Sequence, residues 1–93
     1  MTNETTDISL NHDETNTAVN ALQMYMNLRD TDTLTSYVDA LTASRDAFGG
    51  FYVEASQNDA QELTTAMRYA ARRGVYNRQE ALEVFAVADK IEA

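Results

Sequence analysis

The 93-residue chain contains no cysteine, no proline and no tryptophan, and it has a single histidine. Without cysteine there can be no disulfide bond, no catalytic thiolate and no zinc or iron–sulfur site built on cysteine. The histidine, His12, has no predicted neighbours to orient its ring, so general-base catalysis by His12 is not expected. None of the serines follows a strand–turn–helix pattern that would expose an activated nucleophile. We therefore predict a protein that is not an enzyme and uses no cofactor or metal ion.

Long hydrophobic runs are also missing from the sequence. No stretch approaches the roughly 20 consecutive apolar residues that a membrane-spanning helix needs. The segment that begins at Met1 lacks the basic and apolar regions of a secretory signal. These absences predict no membrane partner and a cytoplasmic location, which would be the host cytoplasm for a viral protein. The 15 acidic and 7 basic side chains give a net charge of −8, which repels phosphate, so nucleic acid is not the expected partner.

Residues 1–13 differ from the rest of the chain in composition. Their large apolar residues are Met1, Ile8 and Leu10, among many threonine, asparagine and aspartate residues. This composition predicts a flexible acidic N-terminal arm over 1–13, followed by a single helical domain over 14–93. Ile8 and Leu10 alternate with Ser9 as in a short strand. The alternative is therefore an arm that becomes ordered against a partner or a neighbouring subunit.

After the arm, apolar residues recur at intervals of three and four, which is typical of amphipathic helices. The predicted helices cover about 14–29, about 33–48, 58–73 and 77–91. Gly49–Gly50 favours a break or sharp kink over one long bent helix, because glycine weakens a helix and Phe51–Val53 favours a strand. Gly74 follows two arginines and is predicted to close the third helix in the left-handed conformation.

Four helices with short connections predict an all-α fold, a small bundle of three to four helices. We detect no internal repeat. The first and fourth helices are apolar over a wide arc, and a chain of this size has a thin core. We therefore expect oligomerisation to complete the bundle. The predicted interface residues are Val84, Val87, Ile91, Met24 and Leu28.

One segment reverses the overall charge. Between Leu63 and Arg78 there are no acidic residues and four arginines. Guanidinium groups beside an aromatic ring suit an anion or a nucleobase, whereas the alternative is ion pairing with acids of neighbouring helices or of another subunit. The predicted ligand-binding or partner-binding residues are Arg68, Tyr69, Arg72, Arg73, Tyr76 and Arg78.

Residues 70–83 resemble the second half of a ribbon-helix-helix or helix-turn-helix regulator. The resemblance covers a helix, a glycine, a capping residue and the start of another helix. A ribbon-helix-helix protein places a basic β-strand in the DNA major groove, and the sequence predicts no such strand. In a helix-turn-helix protein the reading helix would be 77–91, whose acidic residues repel phosphate. DNA recognition is thus a minor alternative.

These patterns predict a non-catalytic, acidic helical protein-interaction module, such as a regulator, an inhibitor or an assembly component, with a viral origin as one option. Its partner would be another protein, a second copy of the chain, or both. The alternatives are a nucleic-acid-binding regulator that uses the Arg68–Arg78 surface and a binder of small anionic ligands or nucleotides.

Overall fold

The computed structural model describes residues 5–92, which contain four helices and two strands. Their order along the chain is β1 (Thr5–Asn11), α1 (His12–Arg29), α2 (Thr35–Phe48), β2 (Gly50–Ser56), α3 (Gln57–Arg73) and α4 (Arg78–Glu92). The predicted helices are present, but the all-α fold class is wrong, because β1 and β2 pair in an antiparallel two-stranded sheet. We call this sheet the ribbon.

Strand β1 comes from the segment that the sequence assigned to a flexible arm. Ile8 is 2% exposed and Leu10 is fully buried, while the residues between and beside them face solvent. The alternation noted in the sequence therefore corresponds to a strand, and its partner is β2 of the same chain rather than another molecule. Pairing with β2 satisfies the backbone hydrogen-bonding groups of this polar segment. Its few apolar side chains would not be enough to order the segment without that pairing. Residues 1–4 of the predicted arm lie outside the described residues.

The break predicted at Gly49–Gly50 is observed, and the two glycines have different roles. Gly49 has φ of 75° and closes α2 in the left-handed conformation, where glycine carries no steric penalty. Gly50 begins β2 opposite Asn11, and a Cβ there would collide with the carbonyl oxygen of Leu10. Gly74 was predicted to be left-handed but is extended, with φ of −81°. Glycine is needed at this position because there is no room for a side chain. An added Cβ would lie 3.0 Å from the Met24 side chain and closer still to the Ala70 carbonyl oxygen.

The order of elements shows a repeat that the sequence did not reveal. A strand followed by two helices occurs twice, and the strand pairing is symmetric about the Ile8–Val53 pair. Each strand ends in a residue that caps the next helix, Asn11 for α1 and Ser56 for α3. At equal distances from these caps, both helices bury the same positions, which are Thr15, Ala18, Ala21 and Leu22 in α1 and Ala60, Leu63, Ala66 and Met67 in α3. The chain is thus two β-α-α halves joined by one ribbon.

The core lies where the two halves meet under the ribbon. Ile8, Leu22, Leu41, Met67 and Ile91 converge there around a residual void of about 10 Å³. This space is barely enough for one water molecule, so the centre is close-packed and offers no internal ligand cavity.

Candidate functional site

Most of the predicted oligomer interface lies inside the chain's own core. Val84, Val87 and Ile91 are 2%, 5% and 2% exposed, and Met24 is half-buried against the same core. Leu28 is 42% exposed. The stripe of α4 that contains Val84, Val87 and Ile91 is covered by α3, α1 and β1, whereas Leu82 on the same helix is 58% exposed. The burial of these three residues is thus explained within one chain, and oligomerisation stays a prediction.

A largely apolar groove lies between α2 and β2. It has a volume of about 650 Å³. Phe48 is 76% exposed, Tyr52 56% and Val53 37%. We call this surface the α2–β2 groove; its lining residues are Ala40, Ala43, Ser44, Ala47, Phe48, Phe51, Tyr52 and Val53. The alanines follow helical spacing along one face of α2, so the groove has a flat wall of small side chains and an aromatic end.

The groove is open because α2 does not lie against α3 in the way that α4 lies against α1. Lys90, in the last turn of α4, donates to Glu14 in the first turn of α1 at 2.7 Å. The corresponding contact between α2 and α3 comes from the first turn of α2, where the Tyr37 hydroxyl donates to Asp59 at 2.9 Å. Helix α1 covers one side of the C-terminal part of α4, but among the described residues α3 does not cover the equivalent side of α2. Helix α2 packs on α1 and β2 instead.

The predicted arginine cluster separates into groups with different contacts. Arg68 forms a 2.8 Å ion pair with Asp89 of α4, which is the structural alternative considered from the sequence. Arg72 lies over the Phe85 ring, with its guanidinium carbon 5.9 Å from the ring centroid. Arg78 is exposed at the start of α4. The half-buried Tyr76 packs against the core, and burial is the main cause that raises the pKa of its hydroxyl. The six predicted residues do not form one site.

Tyr69 and Arg73 belong to a cluster that also includes two residues of α1. The Tyr25 and Tyr69 rings meet edge to face, with centroids 5.4 Å apart. The guanidinium carbons of Arg29 and Arg73 each lie 5.6 Å from the centroid of Tyr69. We call these four residues the Tyr69 cluster. Arg29 and Arg73 form no ion pair with any acid whose side chain the structure describes.

The solvent face of the ribbon is acidic. Asp7 and Glu54 are directly opposite each other in the pairing, and both are exposed. Like charges at directly opposed positions destabilise a ribbon and repel phosphate. A ribbon-helix-helix protein carries a basic strand in this role, whereas β1 and β2 contain no lysine or arginine, so the ribbon differs in charge from a DNA-reading strand.

Comparison with protein-family models, curated proteins and solved structures finds no significant match to this chain. The functional proposal therefore depends on the geometry. Within residues 5–92, no helix combines the length and apolar character needed to cross a bilayer. The same residues contain no group of three or more histidine or acidic side chains placed to hold a metal ion.

Sequence reasoning missed the groove and half of the Tyr69 cluster. Phe48 continues the helical spacing of the apolar residues in α2, and its exposure depends on where α2 packs. Arg29 and Tyr25 follow one another by one helical turn, a signal that was visible in the sequence. Their proximity to Tyr69 required knowledge that α1 and α3 are neighbours.

Proposed function

We propose that the chain is a non-catalytic protein-interaction module that binds an amphipathic partner helix in the α2–β2 groove. The observation that carries this proposal is the exposure of Phe48, Tyr52 and Val53 around a wall of alanines. Leu28, Val75 and Leu82 are also exposed, but outside the groove. Phe48, Tyr52 and Val53 differ from them in lining one concave surface. A contiguous exposed apolar surface is characteristic of an interaction site.

The shape of the groove favours a helix as the occupant. Small side chains at Ala40, Ala43 and Ala47 allow a second helix to approach α2 closely, since the distance between helix axes depends on the side chains at the contact. Phe48 and Tyr52 then provide aromatic contacts at one end. Binding of an amphipathic helix in an apolar groove is a common mode of peptide recognition.

The charge around the groove favours a basic partner. Asp39 and Glu54 are exposed on the two elements that form its walls, and the chain has a net charge of −8. Complementary charge accelerates association and selects among partners. We therefore expect the partner helix to carry an apolar stripe flanked by lysine or arginine.

A selection of peptides followed by NMR mapping tests this function. Peptides selected on the wild-type protein from a random displayed library should be amphipathic and basic, and should shift amide signals of α2 and β2. Ala43→Arg should weaken their binding by about tenfold or more, because the new side chain fills the groove. Ala86→Arg is the matched control, since Ala86 is an exposed alanine on α4, outside the groove. Peptides that bind both variants equally, or that map to another surface, would contradict the proposal.

A further inference from the structure

A second open site lies between the start of α2 and one face of α3. It is a cleft of about 380 Å³, within the range of small-molecule sites. We call it the α3 cleft; its lining residues are Tyr25, Thr33, Leu34, Asn58, Gln61, Glu62, Thr65 and Ala66. Six of these eight residues carry a hydroxyl, amide or carboxylate group. The cleft thus suits a ligand with many hydrogen-bonding groups, in contrast to the apolar α2–β2 groove.

The α3 cleft continues into the Tyr69 cluster. Residues three and four apart share one face of a helix, and such a stripe on α3 consists of Asn58, Glu62, Thr65, Tyr69 and Arg73. On α1, Tyr25 lines the cleft and Arg29 follows it by one turn. The edge-to-face contact between Tyr25 and Tyr69 joins the two regions. A ligand longer than the cleft would therefore extend toward two arginines.

Arg29 and Arg73 both lie over the Tyr69 ring and form no ion pair with the described acids. Each arginine also lies in the last turn of its helix. The helix dipole and the cation–π contact therefore both favour a positive charge at each position. Two like charges beside one ring still repel each other, in a chain that has more than twice as many acids as bases. The planar N–H donors of the two guanidinium groups match the oxygens of a phosphate group. The negative charge of a bound phosphate would offset the repulsion between the two arginines.

The corresponding place in the other half of the molecule is closed. Thr17 and Asn20 of α1 occupy the positions that Glu62 and Thr65 occupy on α3, counted from the helix caps. The space beside them is about 60 Å³, and Tyr76 lines it. Thr33 precedes α2 much as Tyr76 precedes α4. Tyr76 thus fills the space beside α1, whereas the smaller Thr33 leaves the equivalent space beside α3 open.

We propose that the α3 cleft and the Arg29–Arg73 pair bind a nucleoside phosphate. The base and sugar lie in the cleft, where Asn58 and Gln61 donate and accept hydrogen bonds and Glu62 accepts from sugar hydroxyls. The phosphates lie on Arg29 and Arg73. The lining of the cleft and the charge of the cluster are independent observations, and both are needed for this class of ligand.

Calorimetric titration with ATP, GTP, adenosine and inorganic tripolyphosphate, without magnesium and at physiological ionic strength, tests the proposal. A nucleoside triphosphate should bind more tightly than either adenosine or tripolyphosphate. The double variant Arg29→Ala, Arg73→Ala should weaken nucleotide binding by about tenfold or more. Arg45→Ala is the matched control, because Arg45 lies on α2 outside the cleft lining and makes no contact with the Tyr69 ring. Thermal melts of each variant show whether its fold is retained.

A variant that closes the cleft distinguishes the two parts of the site. Thr33→Tyr introduces the residue type that fills the equivalent space of the second half, so it should weaken nucleotide binding and leave tripolyphosphate binding unchanged. The proposal is overturned if neither ATP nor GTP binds in the millimolar range. It is equally overturned if tripolyphosphate binds as tightly as both nucleotides and Thr33→Tyr has no effect, since the cleft would then play no part.

Discussion

The two β-α-α halves share one ribbon but use their second helices differently. In α4, Val84, Val87, Ala88 and Ile91 are buried. In α2 the buried residues are Val38 and Leu41, and the helix ends in the exposed Phe48. Both helices have apolar stripes. The difference therefore arises from what covers each stripe: α1, α3 and β1 pack on α4, whereas the far side of α2 faces solvent.

This asymmetry places both proposed sites next to α2. One face of α2 forms the wall of the α2–β2 groove, and the residues at its start, Thr33 and Leu34, border the α3 cleft. The covered apolar stripe lies on α4, whereas both open sites lie where α2 or the residues before it meet the second half, at β2 and at α3. The equivalent helices of two similar halves can thus differ, one contributing to stability and the other to binding.

The largest expected contrast between the halves is between the apolar residues near the ends of α4 and α2. Ile91→Ala should lower the free energy of unfolding by about 2–5 kcal/mol, because it leaves a cavity in the core. Phe48→Ala should change it by no more than about 0.5 kcal/mol, since this side chain is already 76% exposed. Urea unfolding of the two variants measures both values. Similar losses would mean that the end of α2 is packed as firmly as the end of α4.

A smaller change in the free energy of unfolding, of opposite sign, is expected on substitution of Tyr76, which closes the space beside α1. Its hydroxyl oxygen is buried and has no hydrogen-bond partner among the described residues. Because an unpaired buried polar group is costly, Tyr76→Phe should raise the free energy of unfolding by about 1 kcal/mol. Urea unfolding measures the change. A loss of stability would instead indicate that a bound water satisfies this hydroxyl.

The sequence predicted local structure better than the assembly of its parts. Periodicity predicted the four helices and the break at Gly49–Gly50. The ribbon was missed because a strand such as β1 is stabilised by a partner remote in sequence, and local patterns do not specify pairing. The same limit applied to the predicted interface on α4, since an apolar stripe does not reveal which element covers it.

The predicted binding residues show the same division. Tyr69 and Arg73 do lie together, as their spacing on one helix indicated. Arg68 instead pairs with Asp89, which lies on another helix. Arg29 joins the Tyr69 cluster from α1. Contacts within a helix could be predicted from spacing, whereas contacts between helices depended on how the two halves pack.

The smallest expected effects concern the two hydrogen bonds that join the halves, Tyr37–Asp59 between α2 and α3 and Lys90–Glu14 between α4 and α1. Burial, followed by the hydrogen bond to Asp59, raises the pKa of Tyr37 to about 12 from its ordinary value of 10.0. For Glu14, burial acts to raise the pKa, but the hydrogen bonds from Lys90 and from the Asn11 backbone outweigh it, so the pKa lies below the ordinary value of 4.5. The two contacts should therefore fail at opposite ends of the pH scale.

For Tyr37 the protonated form is favoured by folding, so its contribution is complete below pH 10 and is lost as the pH rises toward about 12. For Glu14 the ionised form is favoured, so its contribution is complete above pH 4.5 and is lost at lower pH. Tyr37→Phe and Glu14→Gln should each cost about 1 kcal/mol or less at neutral pH. Tyr37→Phe should reduce the pH dependence of stability at the alkaline end only, where Tyr76, whose pKa burial also raises, still contributes, and Glu14→Gln should reduce it at the acid end only. Urea unfolding across the pH range, with phenolate absorbance for Tyr37, measures both. Loss of the alkaline transition in Glu14→Gln would show that the two contacts are coupled through the shared core, and the two halves would then respond as one unit.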